Sequence, residues 1–176
     1  MAELGRMSVS EFQQADKNAI IVVLENIRSA YNVVSVFRTA DAFLLEAVHL
    51  IGYTARPPHK EIKKTALGAE ESVQWKYFKT SQESIHWLKE NGYKVVAVEQ
   101  VKDSIPLYDF HRNENQKLAV IFGNEVSGVD PSTLLSCDGC IEIPQMGMKH
   151  SLNIATAAGV VLWELVRNTM INKEML

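Results

Sequence analysis

The hydrophobic residues fall into two alternating spacings along the chain. Ala19 to Leu24 is an unbroken apolar, β-branched run, as expected of a strand buried on both faces. Asn32 to Phe43 switches to helical spacing, with Val33, Val36, Phe37 and Ala40 forming one apolar stripe. Ala47–Ile51 reads as a second strand closed by Gly52. Thr80 and Glu83 have the spacing of a capping box, Ile85 and Leu88 carry the buried stripe behind it, and Asn91-Gly92 ends that helix. Strands follow at Val95–Val98 and Leu118–Phe122. Asp130-Pro131 reads as an N-cap with proline at the first helical position, opening a short helix through Leu135. Ile141–Ile143 is a short strand, and Leu152 to about Asn168 is the longest helix.

This alternation predicts an α/β fold: βαβ crossovers building a mostly parallel sheet with helices on both faces. In such sheets ligands bind beyond the carboxyl ends of the strands, so the loops there are the places to look for chemistry. With 176 residues, 47% of them hydrophobic and 22% charged, the chain is expected to form one domain on its own core: a short extension at 1–18, then a unit at 19–170. The longest apolar stretch, Ile154 to Trp163, is interrupted by Thr156 and about half the length a bilayer demands. The first eighteen residues carry Glu3, Glu11 and Asp16 and no apolar signal core, so a cytoplasmic protein without a membrane partner is expected. Eighteen Lys and Arg against twenty-one Asp and Glu leave a net charge of −3, no basic signature of nucleic-acid binding.

Three loops hold the unusual residues. Phe122-Gly-Asn-Glu125-Val-Ser-Gly128 spaces two glycines like a phosphate-binding loop, but Val129-Asp130 stands where Lys-Ser/Thr would be required. A glycine turn carrying the carboxylate of Glu125 is left, where backbone can approach a ligand closely. Ile143 to Asn153 is an irregular loop: Pro144 cannot donate a ladder bond, Gly147 permits unusual dihedrals, and Ser151 or Asn153 is placed to cap the last helix. Third, Asn32 and Arg38 lie about a turn and two-thirds of helix apart, so they diverge unless Asn32 sits on the loop entering the helix. Cys137 and Cys140 form a C-x-x-C, but the first is not followed by a helix and no further ligands have zinc spacing; two reduced thiols and no metal site are expected.

Taken in order, these segments resemble the SpoU family, the TrmH-type branch of the SPOUT RNA methyltransferases. The first motif resembles Asn32-Val-Val-Ser-Val-Phe-Arg38-Thr-Ala-Asp41-Ala. The second resembles Phe122-Gly-Asn-Glu125-Val-Ser-Gly128-Val. The third resembles Ile143-Pro144, Gly147, then Ser151-Leu-Asn153, Ala157-Ala-Gly159 and Glu164, while Lys64 to Glu70 resembles the segment before a middle strand. Gln145 departs from the Met common in the family, with Met146 beside it. The resemblance spans about Ile20 to Asn168.

What it implies is a deep C-terminal trefoil knot, involving about Leu118 to Gly159. S-adenosylmethionine would be held there by backbone near Gly123, Ile143 and Leu152, with Pro144, Gly128 and Gly147 shaping the loops. The implied reaction is methyl transfer to the 2′-hydroxyl of a ribose in RNA. The expected substrate is tRNA, with guanosine as the nucleoside by family analogy. The alternatives are rRNA or a knotted RNA-binding protein without activity. Arg38 would activate the hydroxyl, either as proton acceptor or bound to phosphate, with Asn32, Glu125, Ser151 and Asn153 arranging the site. A homodimer with its sites at the subunit interface is implied as well. About eighteen residues precede the first strand, so this domain is expected to recognise RNA largely by itself. Arg28 and the stretch Arg56, Lys60, Lys63 and Lys64 supply local cations for that despite the acidic total.

Overall fold

The run Asn18–Glu25 (β1) shows how uninterrupted apolar sequence makes a central strand. Ile20, Val22 and Leu24 point into one core and Ile21 and Val23 into the other, all buried, as the two-residue period requires. The computed structural model describes residues 7–65, 69–113, 115–148 and 151–174. After α1 (Val9–Gln14) and β1 come α2 (Ala30–Ala42), β2 (Leu45–Ile51), α3 (Lys60–Thr65), α4 (Ala69–Ser72) and β3 (Gln74–Phe78). Then follow α5 (Ser81–Glu90), β4 (Lys94–Val98), β5 (Ile105–Pro106), a 3-10 turn at Leu107–Asp109, β6 (Leu118–Phe122), α6 (Pro131–Ser136), β7 (Gly139–Glu142) and α7 (Ile154–Glu174).

The strands form a seven-stranded sheet in the order β3-β2-β1-β6-β4-β7-β5, every pairing parallel. One face is covered by α2 and α7, whose Val36, Phe37, Ala158 and Leu162 are fully buried and which pack on each other. The other is covered by α5 and α6 through Ile85, Leu88 and Leu134. The chain leaving β1 runs outward through α2 to β2, whereas that leaving β6 runs through α6, on the opposite face, to β7. The sheet therefore reverses its winding between β1 and β6, where an open parallel sheet forms a crevice at its carboxyl edge.

Local signals act as read. Thr80 and Glu83 form a complete capping box, and Asp130 caps α6 with Pro131 at its first position. Gly52 and Gly92 both take positive φ, which closes β2 and the turn after α5.

Several elements differ from expectation. α7 starts at Ile154 rather than Leu152, because the Asn153 side chain accepts the Ala155 N–H at 2.9 Å and so caps it. α2 begins at Ala30 behind its N-cap Ser29, so Asn32 lies in the first turn and not on the entering loop. β7 ends at Glu142, leaving Ile143 in the following loop. The apolar pattern alone did not show β3: as an outer strand it is largely exposed, with Gln74 and Lys76 facing solvent, so it lacks an apolar run. Within 1–18, α1 is opened by a Ser8–Glu11 capping box and buries Phe12 in the main core.

Candidate functional site

β6 delivers its last residue to a turn that glycine alone can make. Asn124 and Gly128 exchange backbone hydrogen bonds at 2.9 and 3.0 Å, and Asn124 Oδ1 accepts the N–H groups of Val126 and Ser127 at 2.8 and 3.1 Å. A Cβ on Gly123 would stand 2.2 Å from Gly128 C and Val129 N, so any side chain there forces the turn open. Gly128 has φ +70°, and a Cβ on it would meet Glu99 Oε2 at 2.3 Å. Glu99 Oε2 accepts the Val129 N–H at 3.1 Å, and the next N–H, that of Asp130, is held by buried Glu25 at 2.9 Å. Glu25 also accepts the hydroxyls of Ser81 and Thr133, so its buried carboxylate is hydrogen-bonded.

Beside this turn lies a cavity of about 640 Å³ at the carboxyl ends of β4, β6 and β7. Val98, Val101, Phe122, Leu152, Ile154 and Ala157 give it apolar walls, and Glu99, Glu125 and Glu142 bring carboxylates to it. No Lys, Arg or His is among its described lining residues.

Three distant segments meet at one amide. Glu125 accepts the backbone N–H of Arg28 at 3.1 Å and of Ser29 at 3.2 Å, and the Asn32 side-chain N–H at 3.0 Å. Asn32 Oδ1 in turn accepts from Asn153 Nδ2 at 3.3 Å. Glu125 thus lies at the N-terminus of α2, where an anion is favoured. Partial burial pushes its carboxyl up, but hydrogen bonds from Arg28 N–H, its own N–H, Asn32 and Ser29 together hold it below the ordinary value of 4.5.

Of the residues singled out in the sequence, Gly123, Glu125, Gly128, Ile143, Ser151, Leu152 and Asn153 line the cavity, and Asn32 joins them through hydrogen bonds. Pro144 and Gly147 are not among its lining residues; Gly147 is open, with nothing within 4 Å of a built Cβ. Arg38 stands apart from this group, exposed on α2 and without a hydrogen bond or ion pair among the described residues. Arg28 contributes its backbone N–H while its side chain is exposed. Arg56 lies 3.8 Å over the Tyr77 ring, and Lys60 opens α3 exposed. The side chains of Lys63 and Lys64, and residues 66–68 of the stretch before β3, lie outside the described residues.

Asn124, Glu99 and Glu25 were given no role from sequence. Asn124 sits inside a motif already noticed, but the lone carboxylates Glu25, the last residue of β1, and Glu99, the residue after β4, have no pattern around them. Cys137 ends α6 rather than opening a helix, and burial, then Cys140 and Asp138, push its thiol up to about 12. That is the reverse of an activated redox cysteine. No group of three or more His, Cys, Asp or Glu suited to a metal is found among the described residues.

The fold is shared with the A. aeolicus TrmH/SpoU tRNA modifying enzyme, which superposes with a TM-score of 0.78 at 24% identity, covering 92% of this chain and 80% of that one. The SpoU rRNA Methylase family matches residues 19–163, and the chain belongs to that family. The tRNA (guanosine(18)-2′-O)-methyltransferase of Thermus thermophilus is 31% identical over 169 residues, 96% of this chain and 84% of that protein. The 23S rRNA (guanosine-2′-O-)-methyltransferase RlmB of Neisseria meningitidis is 29% identical over 88% of this chain, which spans 61% of the relative's length.

Proposed function

We propose that this protein transfers a methyl group from S-adenosylmethionine to the 2′-hydroxyl of a ribose in RNA, with tRNA as substrate and guanosine as the nucleoside. The observation that carries the reading is the Glu125–Asn32–Asn153 chain, which fixes one amide from three separate segments beside the cavity. The relative from Thermus thermophilus, matched over nearly the whole of this chain, supports tRNA and guanosine; the Neisseria relative shares the guanosine but acts on rRNA.

The cavity suits the cofactor. Its apolar walls and closely approaching backbone at Gly123 and Gly128 fit a nucleoside, and its carboxylates, with no cation among the described lining residues, fit a positively charged sulfur. Backbone at Gly123, Gly128, Ile143 and Leu152 would hold it, with Pro144 and Gly147 shaping the loop between. The bound cofactor supplies an electrophilic methyl group, so the protein's task is alignment and charge control. Glu125 and Asn153 lock the Asn32 amide in one orientation, leaving its second N–H to fix the ribose, and Ser151 adds a hydroxyl at the cavity wall. A guanidinium offers hydrogen-bond donors and no acceptor, so Arg38 binds the adjacent phosphate and stabilises negative charge growing on the 2′-oxygen rather than taking the proton.

Among the described residues Arg38 makes no polar contact, and the described lining of the cavity offers no cation to an RNA. A second copy supplies that charge in this reading, making the working unit a cytoplasmic homodimer. The family reading also carries the expected knot between β6 and α7. Labelled methyl transfer to total RNA from cells lacking the gene, then nuclease digestion and mass mapping of the resistant ribose-methylated dinucleotide, tests the whole. A methylated guanosine in tRNA is expected, a product in rRNA replaces the substrate, and absence of any product rejects the reading.

A further inference from the structure

Tyr53 is an exposed residue on an unusually well-fixed piece of backbone. The residue is 63% exposed, yet both neighbours are locked. Gly52, at φ +62°, leaves room for Asn26 Oδ1, which would lie 2.1 Å from a Cβ there. Thr54 is buried, donates its hydroxyl to Leu24 O at 3.0 Å and accepts the Ile27 N–H at 2.9 Å, tying the end of β2 to the end of β1. The Tyr53 N–H reaches Asn26 Oδ1 at 3.4 Å, and the phenol oxygen accepts from Asn124 Nδ2 at 2.8 Å. The ring is therefore held at its backbone and its tip while standing in solvent. Water would satisfy that Asn124 N–H equally well, so the hydrogen bond alone gives no reason for a large apolar ring here.

The location supplies one. Asn124 immediately precedes Glu125, so the ring is anchored to the turn that bounds the cavity. Along the same carboxyl edge of the sheet, Arg56 stacks at 3.8 Å on Tyr77, itself 39% exposed at the end of the neighbouring strand. Exposed aromatic faces interleaved with a guanidinium are what unpaired nucleobases stack on, and a pre-fixed ring loses little freedom when one arrives.

We propose that Tyr53 is a stacking platform for an unpaired base of the RNA substrate next to the methylated ribose, with the Arg56–Tyr77 pair continuing the contact along the strand. This rests on the RNA methyltransferase reading above. The test uses the full-length protein and an unmodified tRNA transcript carrying 5-iodouridine. Tyr53→Ala is expected to weaken RNA binding about tenfold or more, whereas Tyr53→Phe, which keeps the ring, stays within about threefold. Both should bind S-adenosylmethionine and melt like the wild type, and photocrosslinks should map to Tyr53. Equal RNA affinity for Tyr53→Ala and wild type, with crosslinks elsewhere, overturns the platform while an active wild type leaves the enzyme reading standing. A wild type that neither binds the cofactor nor methylates RNA overturns the enzyme reading itself.

Discussion

The Glu125 carboxylate accepts the Asn32 side-chain N–H at 3.0 Å across a sequence separation of 93 residues, joining the turn after β6 to the first turn of α2. The same carboxylate holds two backbone N–H groups at the start of α2, so every group around it is a donor. Glu125→Gln would set an amide N–H against those donors. Leaving them unmatched costs about 1–3 kcal/mol, and single-turnover methyl transfer is expected to fall about tenfold to a hundredfold; unchanged turnover would remove Glu125 from the site. Because its folded value lies below the ordinary 4.5, its contribution to stability is complete above that pH and is lost as pH falls through the folded value.

Gly123→Ala tests the close approach in the turn. Its Cβ would press to 2.2 Å against Gly128 and Val129, backbone that cannot swing away as a side chain would. Cofactor affinity measured by calorimetry should drop about tenfold or more, for a misplacement worth at least about 1.4 kcal/mol. Gly139→Ala is the matched control: nothing lies within 4 Å of its Cβ, and affinity should not change.

β1, β4 and β6 were legible because they lie inside the sheet and so read as continuous apolar runs. β3 was not, because an outer strand needs little apolar sequence; its outward Gln74 and Lys76 resemble a loop. Cap chemistry at Thr80 and Asp130 depends on neighbours three residues away or fewer and read correctly. Within the site, the segments of Asn32, Glu125 and Asn153 could be picked out as motifs, but their meeting at one amide is a property of the crossover between β1 and β6. The pinning of the turn by Glu99 and Glu25 is likewise long-range: Glu25 bonds Asp130 across 105 residues, with no local sequence trace.

His49 gives the fold an acid-sensitive point outside the site. It is fully buried between the Phe78 and Trp87 rings, with Nδ1 2.8 Å from Ser84 Oγ and Nε2 unpartnered among the described residues. Burial, then Lys76, pushes its pKa down from 6.5 to about 3. Below 6.5 the unfolded chain takes up a proton the folded chain refuses, so stability is complete above that value and falls as pH drops toward 3. The slope approaches about 1.4 kcal/mol per pH unit. Between pH 7 and pH 4 the wild type should lose about 3 kcal/mol more than His49→Leu in denaturant titrations. Parallel curves for the two proteins would show that His49 does not carry the effect.

The isolation of Arg38 from Asn32, Glu125 and Asn153 gives the dimer reading a direct test. Arg38 is exposed and makes no polar contact among the described residues, so Arg38→Ala should leave melting temperature and cofactor affinity unchanged while lowering kcat by about a hundredfold or more, the scale of losing a charge that acts on the transition state. If the guanidinium comes from the second copy, a mixed dimer of Arg38→Ala and Glu125→Gln chains holds one site with both native residues and one with neither. Mixing the two impaired proteins, with mild denaturation to exchange subunits, should then raise activity to as much as about half of the wild-type level per heterodimer. If Arg38 acts within its own chain, each site of the mixed dimer lacks one native residue and activity stays at the level of the two parents. Sedimentation of the mixture confirms that heterodimers formed, so that silence in the assay counts against the shared site.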